Sequence, residues 1–147
     1  MNVEKKGVLS HDELNQLSVL YNIRLDGVLM LEDFIKNPKI GNFILNLDLD
    51  NRGGSHFVAV INLANKLYYF DPYGVLDDEL KDIFEKVLKK PVVFNNVKFQ
   101  GLKQSNCGYQ CLVFLKEGEN IKNDKDFNNA IQECKFYDIY FKSNKKK

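Results

Sequence analysis

Residues 100–115 have the sequence QGLKQSNCGYQCLVFL, which places a cysteine at the point where a loop becomes a helix. The apolar run at 112–115 indicates a buried helix, and Cys107 lies in its first turn. The positive end of a helix dipole favours a thiolate over a thiol. The stretch therefore predicts a nucleophilic Cys107, whereas Cys111, one turn later, is interpreted as core packing.

The chain has two histidines that could act as a base for this thiol. His56 follows a turn-forming cluster and opens the apolar, β-branched run 57–63, which is typical of an interior strand. Ser10 and Glu13 form a Ser-x-x-Glu capping box, which predicts that His11 lies in the exposed first turn of a helix. We therefore assign the base to His56 and no chemistry to His11.

A carboxylate that orients the imidazole completes a site of this kind. Residues 66–70 predict the next strand, and a two-residue turn before them places Val58 opposite Asp71. His56 then lies one diagonal step from Asp71 on the same face, roughly 7–8 Å away. An aspartate before proline is also a common turn residue, so this assignment depends on the matching His56 and Cys107.

Acyl chemistry also needs hydrogen-bond donors for the oxyanion. The backbone N–H groups of Cys107 and Gly108 are available because a helix start leaves its first N–H groups unpaired. Gln100 and Gln104 each offer a side-chain amide upstream, and the spacing leaves both open.

A zinc site built from Cys107, Cys111 and Cys134 is the alternative use of these thiols. Three cysteines without a paired Cys-x-x-Cys spacing make a poor tetrahedral set. We therefore predict neither a metal nor another cofactor.

Length and composition predict one globular domain over residues 1–147, with a flexible basic tail at about 142–147. The net charge of +1 argues against nucleic-acid binding as a primary task, which stays possible but unsupported. No apolar run reaches membrane-spanning length. Three cysteines without a secretion signal indicate an intracellular, reducing compartment.

The apolar periodicity predicts an α+β chain with a small mixed sheet flanked by helices. Leu14, Leu17 and Leu20 are predicted on or near one face of the first helix, and the helix at 77–90 is predicted to pack one face on the sheet. The segment 137–141 is ambiguous between strand and coil. The predicted helices are 10–21, 77–90, 107–116 and 124–135, and the predicted strands are 42–47, 56–63, 66–71 and 91–94.

Three motifs in this order resemble the adenovirus-type maturation cysteine proteases, in the clan that includes the SUMO-specific proteases. The motifs are GGSHF at 53–57, YYFDPYG at 68–74 and QGLKQSNCGYQC at 100–111. Upstream, residues 9–28 and 41–47 resemble the versions in virophages and large DNA viruses, so the resemblance covers about residues 9–116. It implies a papain-like, adenain-like fold with the nucleophile at a helix N-terminus.

The resemblance also implies a role for each site residue. Cys107 becomes the nucleophile, His56 the base and Asp71 the orienting acid. Gln100, rather than Gln104, becomes the oxyanion donor together with the N–H groups at Cys107 and Gly108. Candidate substrate-groove residues are Gly54, Ser55, Phe57 and Asn106.

Three departures from the family pattern accompany this likeness. Phe57 stands where many relatives have tryptophan, and Asp71 replaces the glutamate of the adenovirus enzyme. No cysteine lies between His56 and Cys107, where the adenovirus enzyme attaches a peptide cofactor through a disulfide. We therefore do not expect the peptide cofactor.

The function implied is a cysteine endopeptidase that cleaves after small or glycine residues. It would process viral capsid or core precursors as a monomer, in the host cytoplasm or packaged in the virion. Alternatives are a protease of ubiquitin-like or SUMO-like modifiers, an acyltransferase, and a non-catalytic virion-associated binding protein with a relic site.

Overall fold

The structure is a computed structural model that describes residues 9–47, 56–96 and 107–134. These residues form a five-stranded mixed sheet with helices packed against both faces, which confirms the predicted α+β class. The helices are α1 (His11–Leu20), α2 (Leu31–Lys36), α3 (Asp78–Leu88), α4 (Cys107–Glu117) and α5 (Asp124–Glu133). The strands are β1 (Gly27–Met30), β2 (Gly41–Asn46), β3 (Phe57–Asn62), β4 (Leu67–Phe70) and β5 (Val92–Phe94).

The strands lie in chain order, β1-β2-β3-β4-β5, with β3 in the centre. The two outer pairs are parallel, and β3 is antiparallel to both of its neighbours. In the central hairpin Asn62 faces Leu67 and Ala59 faces Phe70, and the N–H of Leu63 donates to the carbonyl of Lys66 at 2.9 Å. The predicted two-residue turn is confirmed. The predicted register is confirmed with it, and its continuation places Asp71 opposite Val58, one diagonal step from His56.

Alternate residues of β3 enter two apolar layers, as the pleat of a strand requires. Phe57, Ala59 and Ile61 pack with α1, α4 and α5, while Val58 and Val60 pack with α2 and α3. Because helices cover both faces, every residue of β3 is buried.

Helix α4, which begins with Cys107, is anchored on the sheet by an aromatic pair. Phe70 of β4 stacks on Phe114 of α4, with ring centroids 4.6 Å apart and an interplanar angle of 3°. Such a pair contributes about 0.5–1.5 kcal/mol beyond its burial. Residues 107 to 115 are all buried, so the sheet and the neighbouring helices fix the orientation of α4.

The capping box of α1 is present as predicted: the N–H of Glu13 donates to Oγ of Ser10 at 3.1 Å, and the N–H of Ser10 donates to Oε1 of Glu13 at 3.0 Å. Leu14 and Leu17 are buried, whereas Leu20 is 59% exposed. The buried stripe of α1 passes through Ser18, whose hydroxyl donates to the carbonyl of Asn15 and so loses no hydrogen bond on burial.

The sequence did not predict β1 and α2. The four residues of β1 are all half-buried and show no alternation, and α2 has less than two turns and no side-chain cap at Met30. In α3 only Phe84 is fully buried, and Ile83 and Val87 are 37% and 41% exposed, so the packed face is narrower than predicted.

Helix α5 ends at Glu133, before the predicted end at residue 135. The predictions for residues 135, 137–141 and 142–147 lie outside the described residues. None of the helices in the described segments combines the length and apolar character needed to cross a membrane.

Candidate active site

His56 and Asp71 meet at the end of the central hairpin. His56 directly precedes β3 and Asp71 directly follows β4, and Nε2 of His56 lies 2.9 Å from Oδ1 of Asp71. Both residues are buried, at 7% and 5% exposure, so water does not compete for this hydrogen bond. The two residues that the hairpin register predicted to be neighbours are therefore in direct contact.

A turn after β4 holds the carboxylate of Asp71. Pro72 cannot donate to a strand ladder, so the strand stops, and the N–H of Gly74 donates to the carbonyl of Asp71 at 2.8 Å. The N–H of Tyr73 donates to Oδ1 of Asp71 at 2.9 Å. The oxygen that binds His56 is thus also held by the backbone of the turn.

Cys107 is the first residue of α4 and is 1% exposed. The N–H of Phe57 donates to Sγ of Cys107 at 3.4 Å, and the thiol of Cys111 donates to the carbonyl of the same Phe57 at 3.5 Å. Helix α4 therefore presents two thiols to one residue of the central strand.

The strand register explains why the backbone N–H and carbonyl of Phe57 form hydrogen bonds with these two thiols. The N–H of Leu47 donates to the carbonyl of His56 at 2.9 Å, so His56 faces β2 and the next residue, Phe57, faces the opposite side. On that side the β3–β4 register leads to Pro72, beyond the end of β4. The polar groups of Phe57 have no ladder partner there, and the cysteines of α4 bind them instead.

The electrostatics of the site favour a protonated His56. Burial by itself lowers the pKa of His56, but the hydrogen bonds to Asp71 and Cys107 and the charges of these two groups raise it from 6.5 to about 9. Because Asp71 occupies Nε2, the other ring nitrogen, Nδ1, is left for Cys107. An imidazolium beside a thiol stabilises the thiolate, which is the nucleophilic form.

The other two cysteines have the opposite environment. Burial is the main cause that raises the pKa of both the Cys111 and the Cys134 thiols. All three cysteines are unpaired. Cys111 and Cys134 are thus inert core thiols, and Cys107 alone has a histidine partner.

The prediction that His11 is exposed was wrong. Its side chain is half-buried, its Nε2 lies 3.2 Å from Nδ2 of Asn46, and its ring packs edge-on against Phe57 at 6.0 Å between centroids. On the other side of the site, the ring of Tyr73 lies 5.3 Å from that of His56.

Gly108 lies in the first turn of α4 where α1 crosses it. A Cβ atom there would lie 3.1 Å from Cδ2 of Leu14 and 3.5 Å from Cδ1 of Leu9, closer to Leu14 than packed carbons normally approach. The absence of a side chain at Gly108 therefore lets α1 pack against the start of α4.

Gln100 and the alternative donor Gln104 lie outside the described residues, and so do three of the groove candidates, Gly54, Ser55 and Asn106. Among the residues that the structure does describe, no group of three or more His, Cys, Asp or Glu side chains is arranged to hold a metal ion.

Asn95 is a residue of this region that the sequence reasoning missed. It is 4% exposed, and its side-chain amide forms two hydrogen bonds to the backbone of Asp71. The only signal in the sequence was a polar residue directly after the predicted strand 91–94.

Comparison with known proteins gives a sequence relative and distant structural likenesses. The chain is 31% identical over 97 residues to a protein named Protease from bovine adenovirus 2, and the match covers 56% of this chain and 47% of the relative. The chain thus spans about half the length of that relative. No protein-family model matches.

Among solved structures, the ASFV pS273R protease matches with a TM-score of 0.49 and 16% identity, over 93% of this chain and 69% of that one. The central domain of the uncharacterized Lpg1148 protein from Legionella pneumophila matches with a TM-score of 0.48 and 16% identity, over 88% and 87% of the two chains. Both structural likenesses are too distant to indicate a shared function. The sequence similarity to the bovine adenovirus protease confirms the resemblance to adenovirus-type proteases that the three motifs predicted.

Proposed function

We propose that this chain is a thiol peptidase that hydrolyses peptide bonds with Cys107, His56 and Asp71 as its catalytic triad. The observation that carries this proposal is the position of His56, which is hydrogen-bonded to the buried carboxylate of Asp71 and whose pKa is raised by both Asp71 and the neighbouring Cys107 at the start of α4. Similarity to an adenovirus protease supports the same activity.

In the proposed mechanism the proton of Cys107 resides on His56, and Asp71 stabilises the resulting imidazolium. The thiolate attacks the scissile carbonyl carbon and forms a tetrahedral oxyanion. His56 donates its proton to the leaving amine, the C–N bond breaks, and a thioester remains. His56 then takes a proton from water, and the hydroxide attacks the thioester carbonyl. The C–S bond breaks, which regenerates the thiolate of Cys107 and releases the carboxylic acid as the second product.

The oxyanion is proposed to bind to the backbone N–H groups at Cys107 and Gly108 and to the side-chain amide of Gln100. Gln100 is supported by its place in the motif at 100–111. We propose cleavage after small or glycine residues. The ring of Tyr73, 5.3 Å from that of His56, supports this preference, because it would narrow a groove beside the site.

The proposed partners are polypeptides, namely viral capsid or core precursors processed during virion maturation. We propose that the chain works as a monomer in a reducing environment, in the host cytoplasm or in the virion. The three unpaired cysteines agree with a reducing environment.

The experiment is intact-mass analysis after reaction with a peptidyl electrophile that ends in Gly-Gly. The unmodified protein should gain one adduct, and Cys107→Ala should gain none. His56→Ala should react at least about 100-fold more slowly, because the base typically contributes this much. Cys111→Ala serves as the matched control, since it removes a buried thiol one turn away and should still be labelled.

Labelling that persists in Cys107→Ala, or that is equal in the protein and in His56→Ala, would contradict the proposed triad. A second assay separates the substrate classes. Incubation with a ubiquitin-like modifier carrying a C-terminal extension should give no processing, whereas peptides with an internal glycine site should be cleaved.

A further inference from the structure

We propose that Asn95 is a positioning residue that holds Asp71 in place for His56, an inference that rests on the proposed function. The side-chain Oδ1 of Asn95 accepts a hydrogen bond from the N–H of Asp71 at 2.8 Å. Its Nδ2 donates to the carbonyl of Asp71 at 2.7 Å. One buried amide therefore binds both backbone polar groups of the orienting acid.

The strand arrangement makes this contact necessary. Strands β4 and β5 pair in parallel up to Tyr69 and Phe94, and the chain turns away at Pro72. Asp71 lies between these points, beyond the end of the ladder, where its backbone would otherwise lack the partner that β5 gives to β4. The amide of Asn95 replaces the two ladder hydrogen bonds.

Asn95 affects the site through the hydrogen bond between Asp71 and His56. Oδ1 of Asp71 binds Nε2 of His56 at 2.9 Å, and this bond depends on where the backbone of Asp71 lies. Loss of the Asn95 amide leaves a buried N–H without its partner, which costs enough free energy for the turn to relax. Relaxation lengthens the bond from Asp71 to His56 and weakens the support of the imidazolium. Among the described residues the groups that face His56 are Asp71, Cys107 and Tyr73, so Asp71 is the carboxylate that supports the imidazolium.

A purely structural role for Asn95 is the alternative, and the chain offers a matched control. Asn62 is also buried, at 1% exposure, and its Nδ2 donates to the backbone carbonyl of Lys39 at 2.7 Å. Asn62 ends β3 at the side opposite to His56. Asn62→Ala thus removes a similar buried amide hydrogen bond without touching the site.

The experiment is an NMR titration of the His56 ring in the full chain, in Asn95→Ala and in Asn62→Ala. The midpoint should lie near 9 in the unmodified protein. In Asn95→Ala it should fall by about one pH unit, a tenfold change in the protonation equilibrium, while Asn62→Ala should leave it unchanged. At pH 8.5, between the two midpoints, the rate of labelling by the Gly-Gly electrophile should fall about threefold in Asn95→Ala, because the imidazolium fraction is lower there, and should be unchanged in Asn62→Ala.

A titration of Asn95→Ala that superimposes on that of the unmodified protein would overturn the proposal. An equal shift in Asn62→Ala would also overturn it, because general loosening would then explain both. If Asn95→Ala does not fold, Asn95→Ser retains one polar group and should give a smaller shift in the same direction; no shift there contradicts the proposal.

The two proposals fail in different ways. In one outcome, His56 titrates near 9 and its midpoint shifts in Asn95→Ala, but the electrophile does not label the protein. The peptidase function is then wrong, and the coupling of Asn95 to His56 stands. If the protein takes the electrophile and Asn95→Ala changes neither the titration nor the rate, the function stands and the positioning role is wrong.

Discussion

The backbone N–H of Phe57 donates a hydrogen bond to Sγ of Cys107 at 3.4 Å, which ties the start of the central strand to the first residue of α4. The carbonyl of the same Phe57 accepts from the thiol of Cys111. The thiol at the site and the thiol in the core are thus bound to one residue, and their roles can be separated by substitution.

Cys111→Ala should lower stability and retain activity. The substitution removes one buried hydrogen bond and leaves a small cavity, which together cost about 1–3 kcal/mol in the free energy of unfolding. Denaturant unfolding measures the loss, and labelling of Cys107 should stay within about threefold of the unmodified rate, since a hydrogen bond next to the site is typically worth this little. Loss of labelling as complete as in Cys107→Ala would show that Cys111 takes part in the chemistry.

Asp71→Asn should keep the fold of the turn and remove the charge that supports His56. The pKa of His56 should then fall from about 9 toward its ordinary value of 6.5. Peptide hydrolysis should drop by roughly 100- to 10,000-fold, as expected when an orienting carboxylate is lost. Steady-state kinetics and the His56 titration check this pair of effects, and a drop in hydrolysis without any change in the titration would contradict the assigned role of Asp71.

Stability should depend on the charge of His56 at alkaline pH. The pKa of His56 is raised in the folded chain, from 6.5 to about 9, so its stabilising contribution is complete below pH 6.5 and is lost as the pH rises through 9. The full contribution is about 3 kcal/mol.

This contribution is measured by difference. From pH 6 to pH 9.5 the free energy of unfolding should fall more in the unmodified protein than in His56→Ala, which has no titrating group at this position. Equal falls in the two proteins would mean that His56 does not carry the raised pKa. Peptidase activity should decline over the same alkaline range, because the imidazolium is needed to protonate the leaving amine.

Gly108→Ala should be destabilising although alanine favours a helix. The added Cβ would lie 3.1 Å from Cδ2 of Leu14, which is fully buried and has little room to move. Overpacking of about 1–3 kcal/mol outweighs a helix gain of about 1 kcal/mol. Gly27→Ala is the control, because its Cβ would meet Phe43 at an ordinary 3.5 Å. A Gly108→Ala protein that unfolds at a higher temperature than the unmodified one would refute this packing argument.

The pairing of His56 with Asp71 could be predicted because it depends on local rules. A two-residue turn fixes the register of β3 and β4, and the period of two along a strand then decides which side chains share a face. Pro72 marks the end of β4. All of these signals lie within 16 residues of one another, so the printed sequence contains them.

The contacts that could not be predicted depend on elements far apart in the chain. Asn95 contacts Asp71 because β4 and β5 are parallel neighbours in the sheet, although α3 separates them in the sequence. No residue near Asn95 indicates that pairing. The partial burial of His11 likewise depends on where α1 crosses β2 and β3, which the capping box of that helix does not specify. Strand β1 and helix α2 are too short for their periodicity to stand out.

The most direct test of the central claim, that His56 activates Cys107, is the rate at which iodoacetamide alkylates Cys107 at pH 7, with the labelled residue identified by mass spectrometry. The comparison is between the unmodified protein and His56→Ala. We expect labelling confined to Cys107 and at least about a tenfold slower reaction in His56→Ala, because a thiol without an imidazolium partner is mostly protonated at this pH. Equal rates in the two proteins, or equal labelling of Cys111 and Cys134, would contradict it.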